Sequence, residues 1–316
     1  MEWARDIFQE NSVSTRDLIQ PIFVIPGANT EEPAPGLTGV NRYTPDLAAK
    51  RAKEVWDVGI RSAMVLPCPH PEMKTLDAKE AINTTGFLAE AVAEMKEAAP
   101  ELGLIGDIAL DVYTTHGHDG LMNSKTGVIE NDATIARLAE QSIAQAQMGF
   151  DALAPSDMMD GRVSAIRAAL EHADFQDVMI FPHSAKYASA LYGPYRGAVG
   201  SDTSLGKRDK RTYQQNPANA KEALREVALD IQEGADAIIC KPGIFYLDVI
   251  HQITDKFKIP VIAFDVSGEY AMMMSAAEQG LIDHDAVLLE KMVSFKRAGA
   301  SAVVSYSASH VAELLT

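Results

Sequence analysis

A unit of helix, glycine and short apolar run recurs along this chain of 316 residues. In each copy a predicted helical stretch stops at a glycine, and a run of β-branched and aliphatic residues begins three positions later. The four clearest stops are Gly59, Gly149, Gly234 and Gly299. Glycine adopts the left-handed conformation that ends a helix without steric cost. The apolar runs lack polar alternation, which is typical of strands buried on both faces of a parallel sheet.

Runs of this kind predict eight strands, which are Pro21–Ile25, Ser62–Leu66, Leu104–Leu110, Ala152–Ala154, Val178–Phe181, Ala237–Cys240, Pro260–Phe264 and Ala302–Tyr306. The helical patterns between them include Asp46–Val58, Asp132–Met148, Gly161–His172, Ala220–Glu233, Tyr270–Gln279 and Asp285–Ala298. Strand and helix alternate about eight times without a break in composition, so we expect an α/β fold with residues 1–316 in one (β/α)8 TIM barrel. An open doubly wound sheet is the competing architecture, but its usual Gly-x-Gly-x-x-Gly after a strand is missing.

Charge and cysteine content narrow the class of protein. The formal charge of −16 argues against nucleic acid or an anionic membrane as the main partner. The two cysteines, Cys68 and Cys240, fit a reducing compartment and are too few for a disulfide framework. The start of the chain lacks the features of a signal peptide, and no apolar run approaches the roughly 18–20 residues that cross a bilayer. We therefore expect a cytoplasmic protein.

One segment, residues 187–219, is too long for an ordinary strand–helix connection. In this acidic chain it carries a group of basic residues, namely Arg196, Lys207, Arg208, Lys210 and Arg211. Long segments in compact domains tend to be functional lids or disordered. The group is interpreted either as a solvated basic loop or as a lid that supplies cations to an acidic substrate.

Polar residues gather where the predicted strands end, which is the face that carries the active site in this type of barrel. They are Asp107, Asp111, Ser156, Asp157, Ser184, Lys186, Lys241, Asp265, Ser267, Tyr306 and Ser307. Lys241 directly follows an apolar strand, and Lys186 is a second lysine at the same mouth. Burial and a neighbouring cation both favour the neutral amine, which attacks a ketone to form a Schiff base. The alternative is a structural lysine paired with a strand-end aspartate.

The segment from Asp107 to Gly120 combines the carboxylates of Asp107, Asp111 and Asp119 with two imidazoles. Such a set suggests either a metal site or a polar loop with internal hydrogen bonds. Carboxylates suit hard cations such as Mg²⁺, whereas zinc usually takes Cys or His ligands. We therefore expect no zinc at this acidic cluster.

Eight segments resemble, in order, the motifs of the 5-aminolevulinate dehydratase (porphobilinogen synthase) family. They are Ala154–Arg162, Ser184–Ala190, Tyr192–Arg196, Thr212–Gln214, Asn216–Asn219, Lys241–Gly243, Tyr246–Asp248 and Val266–Tyr270. The resemblance extends from about Leu18 to Leu315. It implies a lyase on a (β/α)8 barrel that condenses two molecules of 5-aminolevulinate to porphobilinogen in tetrapyrrole (heme) biosynthesis.

The resemblance also implies roles for individual residues. Lys241 corresponds to the principal Schiff-base lysine and Lys186 to the second active-site lysine. The residues implied to bind the carboxylate of one substrate molecule are Arg196 and Lys210, with Gln214 in the same lid. Those implied to bind the carboxylate of the other are Ser267 and Tyr306.

The metal requirement is where this sequence differs within the family. Zinc-dependent members carry three cysteines at the positions of Ala109, Asp111 and Asp119. The pattern here resembles members that use Mg²⁺, potassium or no active-site metal. In Mg²⁺-stimulated members a glutamate in the helix after the lid takes part in an allosteric site, and that position is Glu226.

Several neighbours of the implied catalytic residues depart from the family pattern. They are Val112, Pro182, His183, Phe245, Phe264, Asp265 and Ser307. Asp265 places a further negative charge near an acidic substrate. These departures leave open a paralogue that acts on a related keto acid through a Schiff base, or a catalytically silent binding homologue. The N-terminal arm, residues 1–17, is short, and in the family this arm helps to assemble octamers; we expect a homo-oligomer, an octamer or a hexamer built from dimers.

Overall fold

The computed structural model describes residues 1–200 and 209–316, and its centre is a sheet of mostly parallel strands. The strands are β1 Leu18–Val24, β2 Glu31–Pro33, β3 Asn41–Tyr43, β4 Ser62–Pro67, β5 Gly103–Ile108, β6 Ala152–Pro155, β7 Met179–Ile180, β8 Ala185–Lys186, β9 Ile238–Lys241, β10 Val261–Phe264 and β11 Ala302–Val304. Neighbours in the sheet follow the order β7-β6-β5-β4-β1-β11-β10-β9-β8. The short pair β2 and β3 is antiparallel and joins β1 through β3.

Backbone hydrogen bonds close this sheet into a barrel between its two ends. The N–H of Asp236 donates to the carbonyl of Ile180, and that of Ile239 donates to Pro182, both at 2.9 Å. Beyond this point β8 pairs with the end of β9, so that Lys186 lies opposite Lys241. Strands β7 and β8 therefore act together as the fifth of eight barrel strands. The predicted (β/α)8 barrel is confirmed.

Helices cover the outside of the barrel. They are α1 Glu2–Ile7, α2 Pro45–Asp57, α3 Phe87–Ala98, α4 Asn131–Met148, α5 Arg162–His172, α6 Gly193–Ala198, α7 Ala220–Gln232, α8 Leu247–Lys256, α9 Ser267–Glu278, α10 His284–Arg297 and α11 Ala308–Leu314. The six predicted helices are present. Helix α9 starts three residues earlier than predicted, because the carboxylate of Glu269 accepts a hydrogen bond of 2.8 Å from the N–H of Val266 and caps the helix there.

The glycines that predicted the helix ends have the required backbone conformation. Gly59, Gly149, Gly234 and Gly299 have φ of 91°, 101°, 104° and 105°. At Gly299 space is limiting as well, since a Cβ atom would lie 2.4 Å from Oγ1 of Thr254. The strands that follow are buried on both faces, as predicted, and every residue of β1, β6, β9 and β10 is buried.

The segment after β8 crosses the mouth of the barrel. The N–H of Tyr187 donates to the carbonyl of Lys241 at 3.0 Å, and the N–H of Ala188 donates to that of Gln215 at 2.8 Å. On the other side the guanidinium of Arg42 donates to the carbonyl of Ala198 at 3.1 Å. Helix α6 is thereby held over the mouth. Lys207 and Arg208, two of the predicted lid cations, lie outside the described residues.

The N-terminal arm presents apolar side chains to solvent. Met1, Trp3, Ile7 and Phe8 are each more than half exposed. Along the described ranges, 1–200 and 209–316, no helix has the length and apolar character needed to span a membrane.

Candidate active site

Lys241 ends strand β9 with its ammonium nitrogen enclosed by aromatic rings. The Nζ atom lies 3.7 Å from the ring centre of Phe264 and 5.2 Å from that of Tyr195. The residue is 8% exposed. Among the described residues no carboxylate oxygen lies within 4.0 Å of this nitrogen. Lys241 is therefore a buried lysine without an ion pair, and the alternative of a structural lysine held by a strand-end aspartate does not hold here.

This environment favours the neutral amine. Burial, together with the charge of Lys186, lowers the pKa of Lys241 from 10.5 to about 7, against the opposing charges of Asp107, Asp111 and Asp119. Desolvation penalises the ammonium because water no longer stabilises the charge, and a second cation adds repulsion. In a substantial fraction of the molecules, the Lys241 side chain is therefore a neutral, nucleophilic amine near neutral pH.

The other two lysines of the site are held by Asp119, which lies between them. Its Oδ1 atom is 3.5 Å from Nζ of Lys186, and its Oδ2 atom is 2.9 Å from Nζ of Lys210. Lys210 also contacts Oδ2 of Asp111 at 2.9 Å, and Lys186 donates to the carbonyl of Ser156. Burial alone would raise the pKa of Asp119, but Lys186 and Lys210 outweigh it and lower the pKa to about 2.

Lys210 was expected to be a lid cation that binds a substrate carboxylate, but in the structure it is already paired with protein carboxylates. Burial would lower the pKa of Lys210, but Asp111 and Asp119 outweigh it and hold the pKa above its ordinary value. The side chain is buried and already neutralised by two carboxylates. The sequence placed these residues in one site but did not predict this pairing.

Asp107, at the end of β5, is the carboxylate most sensitive to pH in the site. Burial, together with the charge of Asp111, raises its pKa to about 6, against the opposing charges of Lys241 and Lys186. A hydrogen bond from the side chain of Ser156 also favours the ionised form. Near neutral pH this carboxyl group is able to accept and release a proton.

The three lysines, Asp111 and Asp119 line a small cavity at the barrel mouth. Its lining consists of Asp111, Asp119, Ser156, Lys186, Tyr192, Tyr195, Arg196, Lys210, Gln214 and Lys241. The structure thus brings together both predicted lysines and the three predicted lid residues. The open space is only about 30 Å³, far below the roughly 300–1,000 Å³ of typical ligand pockets. A substrate therefore requires displacement of side chains that the segment 187–219 supplies.

Ser267 and Tyr306 do not line this cavity but lie behind Tyr195. The hydroxyl of Ser267 accepts a hydrogen bond from the N–H of Tyr195 at 2.9 Å and donates to the carbonyl of Leu191 at 3.2 Å. Tyr306 stacks on Phe23 with ring centres 6.0 Å apart, and Phe23 also contacts Tyr195. Ser267 therefore contacts helix α6 directly, and Tyr306 reaches it through Phe23.

Tyr192 and Tyr195 are site residues that the sequence reasoning left without a role. Their rings form part of the wall around Lys241, and the hydroxyl of Tyr192 donates to the carbonyl of Lys241 at 3.2 Å. Both belong to the quoted motif Tyr192–Arg196, so the signal was present. What was missed is that an aromatic wall excludes water from the amine.

The structure corrects the expectation for Asp265. Its carboxylate is fully buried and accepts hydrogen bonds from Nζ of Lys291 and Oγ of Ser305, each at 2.8 Å. Lys291 on α10 therefore neutralises the charge, and Asp265 does not face the cavity.

His183, another residue that departs from the family pattern, is buried in the barrel, and its Nδ1 donates a hydrogen bond of 3.1 Å to the carbonyl of Pro155. Burial and the charges of Lys241 and Lys186 hold the pKa of His183 well below its usual range, so the ring is neutral. Phe245 is exposed and also lies outside the cavity lining.

Glu226 lies on α7 in a second cavity, which it lines together with Asp160 and Glu222. Burial raises the pKa of Glu226, and the charges of Asp160 and Asp230 raise it further. Tyr213 also lines this cavity. Its hydroxyl contacts Nδ1 of His118 at 3.0 Å and accepts from the N–H of Asp119, a residue of the lysine site, at 3.3 Å.

Comparison with known proteins shows which family has this sequence and fold. The sequence model described as "Delta-aminolevulinic acid dehydratase" matches residues 1–314. A protein of that name from Bradyrhizobium diazoefficiens is 47% identical over 314 residues, covering 99% of this chain and 88% of the relative. The one from Rhodobacter capsulatus is 47% identical over 316 residues, covering 99% and 94%. This chain belongs to the delta-aminolevulinic acid dehydratase family.

A solved structure of the family agrees with the fold. The crystal structure of delta-aminolevulinic acid dehydratase (porphobilinogen synthase) from Toxoplasma gondii, in complex with the reaction product porphobilinogen, is similar with a TM-score of 0.97. It is 43% identical and the match covers 99% of this chain and 89% of that one. The resemblance inferred from the sequence is confirmed, and the chain is a lyase of this family.

Proposed function

We propose that this protein condenses two molecules of 5-aminolevulinate to porphobilinogen through a Schiff base on Lys241. The observation that carries the proposal is the state of that side chain. It is buried, lacks a carboxylate partner among the described residues, and lines the cavity that also holds Lys186. Of the neighbouring departures from the family pattern, Asp265 is paired with Lys291 and does not line this cavity.

The lowered pKa has a direct chemical consequence. A shift from 10.5 to about 7 raises the neutral fraction of Lys241 at pH 7 from about 1 in 3,000 to about one half. The neutral amine attacks the ketone carbon of the substrate and releases water, and the resulting iminium draws electrons from the adjacent carbon. Asp107, whose raised pKa suits proton exchange near neutral pH, would accept the proton that this carbon loses. Overall one carbon–carbon and one carbon–nitrogen bond form, two water molecules leave, and the lysine is regenerated.

The lid residues are proposed to bind the carboxylates of the two substrate molecules. Arg196, Lys210 and Gln214 line the cavity and would bind one of them. Lys210 then exchanges an aspartate partner for the substrate carboxylate, so binding and rearrangement of the acidic cluster occur together. Ser267 and Tyr306 would serve the second substrate once Tyr195 moves. Closure of residues 187–219 over the imine excludes water from it.

We also propose that the active site works without zinc and that Mg²⁺ acts from the cavity of Glu226. The ammonium of Lys210 lies between Asp111 and Asp119, so a protein cation neutralises two of the positions where zinc-dependent members carry cysteine. Glu226 and Asp160 line that second cavity with carboxylates that form no ion pair with any described residue, and carboxylate oxygens suit Mg²⁺. Bound Mg²⁺ would supply positive charge there, and Tyr213 links that cavity to Asp119.

Assembly and location follow the family in this proposal. The exposed apolar side chains of the arm, among them Trp3 and Phe8, would be covered by a neighbouring subunit in a homo-oligomer, either an octamer or a hexamer built from dimers. We propose a cytoplasmic enzyme whose partner is the small-molecule substrate, with no nucleic acid or membrane involved.

The experiment combines a product assay with borohydride trapping. The unaltered protein should form porphobilinogen from 5-aminolevulinate, and reduction with borohydride should attach the substrate to Lys241, as located by peptide mass spectrometry. Lys241→Met should abolish both, whereas Lys53→Met, at an exposed lysine on α2, should change neither. Adding Mg²⁺ should raise turnover, and Glu226→Ala should remove that response but leave trapping intact. If only other keto acids are trapped, or none, the proposed reaction is excluded.

A further inference from the structure

Two histidines and an aspartate meet on the outside of the barrel, at a place that the proposed reaction does not use. His284 and Asp285 open helix α10, and His310 is the third residue of helix α11. The Oδ1 atom of Asp285 lies 2.9 Å from Nδ1 of His284 and 2.7 Å from Nε2 of His310. One potential ligand atom of each residue is within 4.8 Å of the other two. None of the three lines the cavity at Lys241.

We propose that His284, Asp285 and His310 bind one divalent transition-metal ion of the Zn²⁺ or Co²⁺ class. Two imidazole nitrogens and a carboxylate oxygen are ligands that such ions prefer, and three protein ligands leave a fourth position for water. Metal–ligand bonds of about 2.0–2.1 Å in a tetrahedron place ligand atoms about 3.3 Å apart. The Asp285 oxygen therefore needs to move only about half an ångström away from each of the two ring nitrogens.

The surroundings of the two rings fit ligand roles. The second nitrogen of His310, Nδ1, faces Oε2 of Glu313 at 3.8 Å. A carboxylate beside the non-ligating nitrogen commonly orients a metal-binding histidine. The ring of His284 has Asp285 as its hydrogen-bond partner among the described residues, and its Nε2 atom is buried without one. An ion would replace the two ring hydrogens that now point at Asp285.

Charge and access are also compatible with an ion. The side chains of Asp285 and His310 are 50% and 42% exposed, so an ion reaches them without unfolding. The positive ends of the helix dipoles of α10 and α11 oppose a cation, but they act weakly at exposed positions. The carboxylates of Asp285 and Glu313 offset them. The site is chemically distinct from the cavity of Glu226, which offers carboxylates.

A bound ion would join the last two helices of the barrel. Helix α11 begins two residues after Tyr306, and its contact with α10 includes the His284 and His310 rings, whose centres are 5.4 Å apart. The ion would fix α11 against α10 and so stabilise the end of the chain. This role is structural and requires no step of the reaction.

The test is a Co²⁺ titration of metal-free, full-length protein in excess Mg²⁺, which occupies carboxylate sites. Equilibrium dialysis gives the stoichiometry, and the visible absorption of four-coordinate Co²⁺ reports the ligands. We expect one Co²⁺ per chain, and the thermal midpoint should rise with Co²⁺. His310→Ala and Asp285→Asn should each weaken binding by about 100-fold or more, since even loss of a supporting contact weakens metal sites about 10–100-fold.

His251→Ala, at an exposed histidine on α8, is the matched control and should bind Co²⁺ like the unaltered protein. Circular dichroism verifies that each variant is folded. Unchanged Co²⁺ affinity in both His310→Ala and Asp285→Asn would overturn the proposal, as would a lack of Co²⁺ binding by the unaltered protein. Because every readout is independent of turnover, neither result bears on the reaction proposed for Lys241.

Discussion

Replacing Lys241 by methionine should remove activity and make the fold more stable. Methionine has a similar length and no charge, so it fills the space between Phe264 and Tyr195 without a buried ammonium. One pKa unit corresponds to 1.36 kcal/mol, and the pKa of Lys241 is lowered from 10.5 to about 7 on folding. At pH 7 Lys241 is protonated in the unfolded chain, and loss of this protonation on folding costs roughly 4 kcal/mol. We expect the free energy of unfolding to increase by about 2–4 kcal/mol. The increase is smaller than the full value of about 4 kcal/mol because Asp107 loses the stabilising charge of a nearby cation.

The sign of the pH dependence follows from the same pKa. Between pH 7 and 10.5 the unfolded chain binds more protons at Lys241 than the folded protein does. The stability of the unaltered protein should therefore rise with pH across this window, and Lys241→Met should lack this contribution. The advantage of the variant should be largest at pH 7 and below, and should have nearly vanished at pH 10.5.

Urea unfolding followed by circular dichroism at pH 7.0 and 9.5 measures both effects. Lys53→Met serves as the control, since its exposed pair with Asp57 should contribute less than about 1 kcal/mol at either pH. The reasoning is refuted if Lys241→Met is no more stable than the unaltered protein at pH 7 and has the same pH slope. In that case the ammonium is well accommodated in the barrel, and burial does not explain a nucleophilic lysine.

Three further changes test the rest of the site. The rate of imine trapping should rise between pH 6 and 8 with a midpoint near 7, and Lys186→Met should move the midpoint upward because loss of that cation raises the pKa of Lys241. Asp119→Asn should destabilise the protein by about 3–5 kcal/mol in urea, since it leaves Lys186 and Lys210 without their shared carboxylate. Lys291→Met should cost a similar amount, about 3–5 kcal/mol, because Asp265 stays buried without a cation, and adding Asp265→Asn should recover part of that loss.

The barrel was predictable because its strands are buried on both faces. Continuous apolar runs such as Ala237–Cys240 cannot be placed on a half-exposed sheet, and the left-handed glycines mark where the helices before them stop. The fifth strand was only partly predicted. Pro182 has no N–H to donate, so the regular ladder is interrupted there and one strand is found as β7 and β8.

Other elements lacked a readable signal. Strands β2 and β3 are three residues long and polar, so they have no apolar run, and their pairing comes from contact with β1. Helix α3 was missed although residues such as Leu88, Val92 and Met95 repeat at helical spacing and are buried.

The site residues were predictable as a set but not as pairs. Strand ends converge in any (β/α)8 barrel, which is why Lys186, Lys241 and Asp107 were placed together from the sequence alone. Lys210 and Asp111 are 99 positions apart, and only the path of the lid decides that they touch. The pairing of Asp265 with Lys291 was missed for a similar reason, because a helical lysine is ordinarily exposed whereas this one is buried.

The balance of charge at the barrel mouth explains why the basic residues of an acidic chain gather in the lid. With Lys241 neutral, the three carboxylates of the acidic cluster face two ammonium groups among residues 1–200 and 209–316, those of Lys186 and Lys210. Each substrate molecule adds a carboxylate, and an uncompensated charge in a closed cavity is costly. Protonation of Asp107, whose pKa is about 6, removes part of the excess. The remainder requires further cations, and Arg196, a lid residue, already lines the cavity.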